Sequence, residues 1–198
     1  MAFDSYMQFI PAKSTTPIPG ESQVKLDFST DTLAKQSPAL VQGSVFEIDD
    51  FSFDIEQVLN IGSQSSGAGA GKVTFNPYQI TRKSDRVSPL LFMMCCAGQH
   101  FSQVSLCLRR AGGATTGSTM SSGTTFLRFD FALVAVKTIS WSGSDGDEAP
   151  KEEVTFEYGA LKVSYQQQDV TGGAKGGVQS AQWNQVYNNN TYAEIAAS

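Results

Sequence analysis

The sequence has little of what most enzymes and nucleic-acid binders depend on. It holds one histidine and three cysteines in 198 residues, and charged side chains make up only 17% of it, against about 25% in a typical soluble domain. Cationic clusters are missing. The longest basic runs are Arg82-Lys83 and Arg109-Arg110, and 14 Lys and Arg face 19 Asp and Glu for a net charge of −5. Phosphate neutralisation needs clustered Lys and Arg, so nucleic acid is excluded as a partner. No run of about 18 apolar residues exists, which excludes a membrane-spanning helix. Asp4 stands where a secretory leader carries its positive region, so a chain made in the cytosol with no Sec-type route out is expected. Three cysteines, two of them adjacent at Cys95-Cys96, give neither a metal-binding C-x-x-C nor an ordinary structural bridge. Reduced thiols are expected, with Cys95 and Cys96 largely buried as small hydrophobes. Gly (18) and Pro (7) are too few for a low-complexity chain.

What is present is period-2 alternation. Residues 3–10, 45–59, 72–82, 102–110, 125–141 and 154–165 read as strands. Three of them change face: 45–59 at Asp49-Asp50, between Phe46/Ile48 and Phe51/Phe53/Ile55; 72–82 across Asn76-Pro77; and 154–165 across Gly159-Ala160. Long strands that switch face suit a closed or strongly bent sheet. Val104, Leu106 and Leu108, with Leu127, Phe129, Phe131 and Leu133, point inward. One short helix interrupts the pattern: Ser88 can cap it, Pro89 occupies its first position and Gly98 ends it. Being apolar almost all round, that helix needs covering on more than one side, by the barrel or another subunit. Gly/Ser-rich loops fill 62–71, 111–123 and 142–150, and residues 21–43 read as a short strand followed by loop.

Motifs for turnover fail on inspection. His100 has no G-x-S-x-G or S-x-x-K partner motif and reads as a surface or strand-edge residue. Gly67–Lys72 resembles a phosphate loop but lacks the first Gly and the hydroxyl residue after Lys72, and it fails as a dinucleotide fingerprint. The acidic stretch Asp145-Gly146-Asp147-Glu148 lacks the alternating ligands of a calcium loop. Glu152, Glu153 and Glu157 read as surface charge rather than paired acid and base. Trp183 with Phe51 and Phe53 is a conceivable sugar platform, though the strand aromatics are more simply core. The chain is therefore expected to be no enzyme and to need no cofactor or metal.

The order of motifs carries a resemblance. Ala2-Phe3-Asp4-Ser5-Tyr6, Gly20-Glu21-Ser22, Ala70-Gly71-Lys72-Val73 and Ile80-Thr81-Arg82-Lys83 are followed by Asp85, Ser88, Pro89 and Leu90. Then come Leu108-Arg109-Arg110-Ala111-Gly112-Gly113, Lys151-Glu152-Glu153-Val154-Thr155-Phe156, Val163-Ser164-Tyr165-Gln166 and Trp183-Asn184. This series resembles the Hcp (hemolysin co-regulated protein) family, the inner-tube subunit of type VI secretion systems, over residues 1–10 and 45–187. Residues 21–43 depart from it, being longer than the family's usual link between its first two strands, and Asn188-Asn189-Asn190 is foreign to the pattern.

The resemblance implies a mainly β fold: a compact two-sheet β-barrel with one short flanking α-helix, residues 1–168, followed by a polar tail, 169–198, anchored by Trp183-Asn184. It also implies a homohexameric ring, stacking of rings into a tube, carriage of effector proteins in the lumen, and expulsion by a contractile sheath behind a spike protein. A ring contact at the apolar Val58, Leu59 and Ile61 is expected within the loop 57–72. The polar stripe Asp50, Ser52 and Asp54, opposite Phe51 and Phe53, is assigned to the lumen. The competing readings are a monomeric, lectin-like β-sandwich binding module and a tail-tube protein of another contractile injection system. Mass separates monomer from ring.

Overall fold

The structure, a computed structural model, describes residues 3–22, 28, 31–59, 70–110, 115–116, 119–120, 123–169 and 174–192. In chain order its elements are β1 (Asp4–Pro11), β2 (Phe46–Ile48), β3 (Asp50–Ser52), β4 (Ile55–Leu59), β5 (Ala70–Phe75), β6 (Tyr78–Lys83), α1 (Ser88–Ala97), β7 (His100–Arg110), β8 (Thr115–Thr116), β9 (Thr119–Met120), β10 (Thr124–Ser142), β11 (Lys151–Tyr165) and β12 (Gln179–Asn184). The main sheet runs β2-β1-β7-β10-β11-β6-β3, all antiparallel, with β12 added to β11.

The two ends of that order are one piece of chain. β2 pairs with β1, and after a single residue β3 pairs with β6, while the Asp49 N–H donates to the Thr81 carbonyl across the junction. The segment 46–52 is thus the stave that closes the sheet into a nearly complete barrel, leaving few free edges. The face switch expected at Asp49-Asp50 marks this closure: Phe46 and Ile48 are buried, and Phe51 reaches the same core from the other side. Across Asn76-Pro77 the chain leaves one sheet for another, because β5 pairs with β4 in a separate hairpin and β6 belongs to the barrel. At Gly159, β11 exchanges partners along one edge, β6 pairing with Lys151–Phe156 and β12 with Ala160–Tyr165.

Aromatic rings fill the interior. Tyr78 stacks on Phe131 and Phe156 with centroids 4.6 and 5.6 Å away, and Phe9 contacts Phe46, Phe101 and Phe156. Opposite-face contacts of this kind come from strands whose odd or even residues all point inward.

The inward run of β10 differs from expectation at Leu133. This residue has φ of 51° and is skipped in the register with both neighbouring strands, so Val134 and Val136, not Leu133, continue the fully buried face. The pairing itself does not slip here, since Ala132 and Val134 keep one register with both neighbours; the inward parity changes on β10 and its partners together, from Phe131, Leu161 and Val104 to Val134, Tyr158 and Phe101. The helix begins at Ser88, with Val87 in the capping position and no side-chain cap. The Ser88 hydroxyl instead accepts from the Asp85 N–H at 3.1 Å. Gly98 closes the helix in the left-handed region, φ 61°.

Of residues 21–43, the short strand expected at Val24, Leu26 and Phe28 lies mostly outside the described residues, and the loop expected after it is present as ordered turns. From Asp31 to Ser44 they form a turn-rich strap with Asp31, Leu33, Ala34 and Leu40 buried. Its base is tight: the Gly20 N–H donates to the Gly43 carbonyl at 2.8 Å, and a side chain at Gly20 would collide with the Val45 carbonyl.

Candidate assembly surfaces

Two buried charge clusters shape the outside of this barrel. In the first, Arg82 and Glu152 are cross-strand partners of β6 and β11, and both are fully buried. Arg82 Nε donates to Glu152 Oε1 at 2.9 Å, its Nη2 meets the Asp85 carboxylate, and Glu152 Oε2 accepts from the Trp141 indole N–H at 2.7 Å. Glu152 is therefore core structure rather than surface charge. Its parity shows why, since it follows the buried phase of Val154 and Phe156, as Arg82 follows Tyr78 and Ile80. Two opposite charges on the core parity of paired strands are a signal that sequence reading could have used.

That cluster holds Trp141 at the surface, 47% exposed, with Phe92 6.3 Å from it and Met93 57% exposed nearby along α1. Within one subunit the helix buries only Ser88, Leu91 and Met94, and Phe92 and Met93 remain open. Cys95 is half-buried and Cys96 exposed, which corrects the expectation that both are largely buried. The deeply buried thiol is Cys107. The helix packs chiefly on β10, and among the described residues its far side, with Phe92, Met93 and Cys96, is left exposed.

The second cluster fastens the strap. Arg128 on β10 donates to three strap carbonyls, Leu33 at 2.7 Å, Gln36 at 3.0 Å and Pro38 at 2.6 Å, and pairs with Asp130 at 2.8 Å. Arg109 on β7 lies 3.3 Å from Asp31, whose carboxylate also accepts from the Thr125 N–H and hydroxyl and the Ala34 N–H. Gln8 on β1 donates to the Ala39 carbonyl and accepts from the Val41 N–H. Gln8, Ser105, Cys107, Arg109, Arg128 and Asp130 are register neighbours on the outward face of β1, β7 and β10. The strap covers this face and seals Cys107 beneath Ala34 and Leu40. Burial pushes the Cys107 thiol up to about 12, only partly offset by Arg128.

Among the described residues no segment covers the opposite wall. Asp50 pairs with Thr81 and Ser52 with Gln79, and Thr81 and Gln79 pair in turn with Glu153 and Thr155 of β11. Asp50, Ser52 and Asp54 are all exposed, while Phe51 and Phe53 pack on the core. The wall is polar throughout, with a Lys137–Glu157 pair at 2.7 Å and Lys83–Glu148 at 2.9 Å along its margin.

The β4–β5 hairpin forms its own small sheet, with Phe75 buried in the barrel core and Val73 packed against it. Its own base is closed by Asn76, which donates to Asp54, and it is joined to the barrel by Gln185, which donates to the Tyr158 carbonyl and accepts from the Phe75 N–H. Between hairpin and β12 runs an apolar groove of about 590 Å³, lined by Ile55, Val73, Phe75, Leu161, Val163 and Trp183 among others. Val58 and Leu59 end β4, where the register shifts between Gln57 and Leu59. Their side chains, and Ile61 altogether, lie outside the described residues. Among the described residues no group of His, Cys, Asp and Glu is arranged to hold a metal, and no helix is long and apolar enough to cross a membrane.

Comparison with known proteins follows this architecture. A family model described as "Type VI secretion system effector, Hcp" matches residues 42–165. The protein hcp1 of Pseudomonas aeruginosa is 33% identical over 113 residues, covering 57% of this chain and 65% of that relative's length. A solved type six secretion system protein aligns over 95% of this chain and 99% of its own at 23% identity with a TM-score of 0.73. Hcp1 from Salmonella typhimurium aligns over 96% and 100% at 23% identity with a TM-score of 0.62. At these identities the two structures establish the fold. With a matched model spanning most of the barrel and the fold shared end to end, the chain belongs to the Hcp family of type VI secretion system tube proteins, a structural and non-enzymatic family.

Proposed function

We propose that this chain is the ring-forming subunit of a type VI inner tube. Six copies close head to tail, rings stack, effector proteins travel in the lumen, and a contracting sheath drives the tube out of the cytoplasm behind a spike protein. Residues 1–168 are the barrel body, and 169–198 are a polar C-terminal segment anchored by Trp183-Asn184. A heterologous contact forms a ring when its rotation divides the circle. The hairpin carrying Val58, Leu59 and Ile61 is the ring contact.

The observation that carries this reading is the bare polar wall containing Asp50, Ser52 and Asp54, continuous in register across β3, β6 and β11. Such a wall retains a passenger weakly and releases it, because each hydrogen bond exchanged with water contributes about 0.5–1.5 kcal/mol. Negative-stain images and native mass test the ring directly, and a single-chain mass would favour the binding-module reading. Ser52→Gln, which thrusts a longer side chain from this wall, is expected to abolish co-purification of a lumenal passenger at unchanged ring mass. Unaltered passenger binding would defeat the lumen assignment.

A further inference from the structure

The barrel has two unlike walls, and their positions follow from strand order alone. Around the closed sheet the staves run β2/β3, β1, β7, β10, β11, β6 and back to β3. In that circle β1 lies opposite β11, β7 opposite β6, and β10 opposite β3. The strap is held by Gln8, Arg109 and Arg128, which belong to β1, β7 and β10. The bare polar wall belongs to β11, β6 and β3. Strap and stripe therefore sit on diametrically opposed sides of one subunit.

The strap is built to stay in place. Its buried anchors are three carbonyls on one fully buried arginine, a fully buried carboxylate at Asp31, and a glutamine amide engaged at both ends. Arg109 adds its guanidinium 5.1 Å over the Phe28 ring. Its outer side is different in kind: Thr32, Lys35, Ser37, Ala39 and Val41 are exposed, Val41 by 44%. That surface is neutral apart from Lys35, with small apolar and hydroxyl groups.

Resting on the ring reading above, we infer that the strap 31–44 is the outward face of the assembled ring, the surface each subunit presents to the protein that encloses the tube, while the opposed polar wall faces the lumen. The strap would otherwise stand in the channel at every subunit. A neutral surface with one cation per copy fits an enclosing protein that offers hydrogen-bonding groups and a carboxylate, and it slides more readily than an apolar one.

Ring geometry makes the inference measurable, since in a sixfold ring a site's nearest-neighbour separation equals its distance from the axis. Nitroxide labels would be placed singly, at Lys35→Cys on the strap or Ser52→Cys on the bare wall, in a Cys95→Ser/Cys96→Ser background that keeps the sealed Cys107. Dipolar distances within the intact ring are then compared. The strap label is expected to show the longer separation, by more than about 10 Å, the thickness of two packed sheets. Equal separations, or a longer one for Ser52→Cys, overturn the strap assignment and leave the ring standing. A single-chain mass with no inter-label signal overturns the ring reading itself, and the strap assignment with it.

Discussion

Arg82 and Glu152 show how a residue pair can be structural and still govern the surface. Both are desolvated, so removing one leaves the other charged and unpaired, which costs about 3–5 kcal/mol, whereas replacing both by apolar groups is far less costly. Arg82→Met is expected to lose stability on that scale in urea titration and to shift Trp141 fluorescence as Glu152 is freed. Arg82→Met/Glu152→Leu should recover much of the loss; a single variant within about 1 kcal/mol of the parent would mean the pair is solvated. Cys107 supplies a second residue-scale test. Its folded pKa, about 12, lies above the ordinary thiol value of 9.0. The unfolded thiol thus ionises first, so stability is intact below pH 9 and falls as pH rises toward 12, by up to about 1.4 kcal/mol per pH unit. Burial also pushes up the Tyr78 and Tyr158 hydroxyls, which add to the same slope. Denaturation between pH 8 and 11 should show a shallower decline for Cys107→Ala than for the parent, and an identical slope would place the thiol in solvent.

At the scale of elements, the strap is held by Arg128 and Gln8 of the barrel as well as by its own Asp31. Gln8→Ala removes both ends of one clamp and is expected to cost about 1–3 kcal/mol. It should also make Cys107 reactive toward a maleimide under native conditions, where in the parent Cys96 labels fast and Cys107 only on unfolding. Arg128→Met should do the same more strongly, and a Cys107 that stays protected in both variants would show that the strap does not need these anchors. This dependence also explains what the sequence made legible. The staves were readable from alternation, and the closure at Asp49-Asp50 and the partner exchange at Gly159 from its phase slips, because side-chain periodicity records which face is buried. The strap was not, because Arg128 grips backbone carbonyls, and a carbonyl is the same at every residue. Leu133 escaped for a related reason: a left-handed leucine in mid-strand is a local cost accepted for the barrel's curvature, and no residue type announces it. Of the candidate surfaces, the polar stripe of β3 was legible from the Phe51/Phe53 alternation. The patch of Phe92, Met93 and Trp141 was not, since it joins elements far apart in sequence.

At the scale of the whole molecule, large apolar side chains are exposed in two places: Ile55 and Trp183 line the hairpin groove, with Val186 and Tyr187 exposed just beyond β12, and Phe92, Met93 and Trp141 lie by the helix. Exposed apolar clusters of this kind mark contact surfaces, and in a closed ring each contact is repeated at every interface, so a defect in one chain is multiplied around the circle. An apolar side chain buried at such an interface contributes about 1.5–3 kcal/mol, and a carboxylate put in its place adds the penalty of an unpaired charge. Leu59→Asp/Ile61→Asp is therefore expected to reduce the assembly to single subunits by native mass, while circular dichroism reports an unchanged β fold, since the barrel closes without the hairpin's tip. Asp50→Asn, on the exposed polar wall, serves as the control and should leave ring mass unaltered. If the double variant keeps the parent's mass, the hairpin is not the ring contact, and the helix patch of Phe92, Met93 and Trp141 becomes the surface to test next.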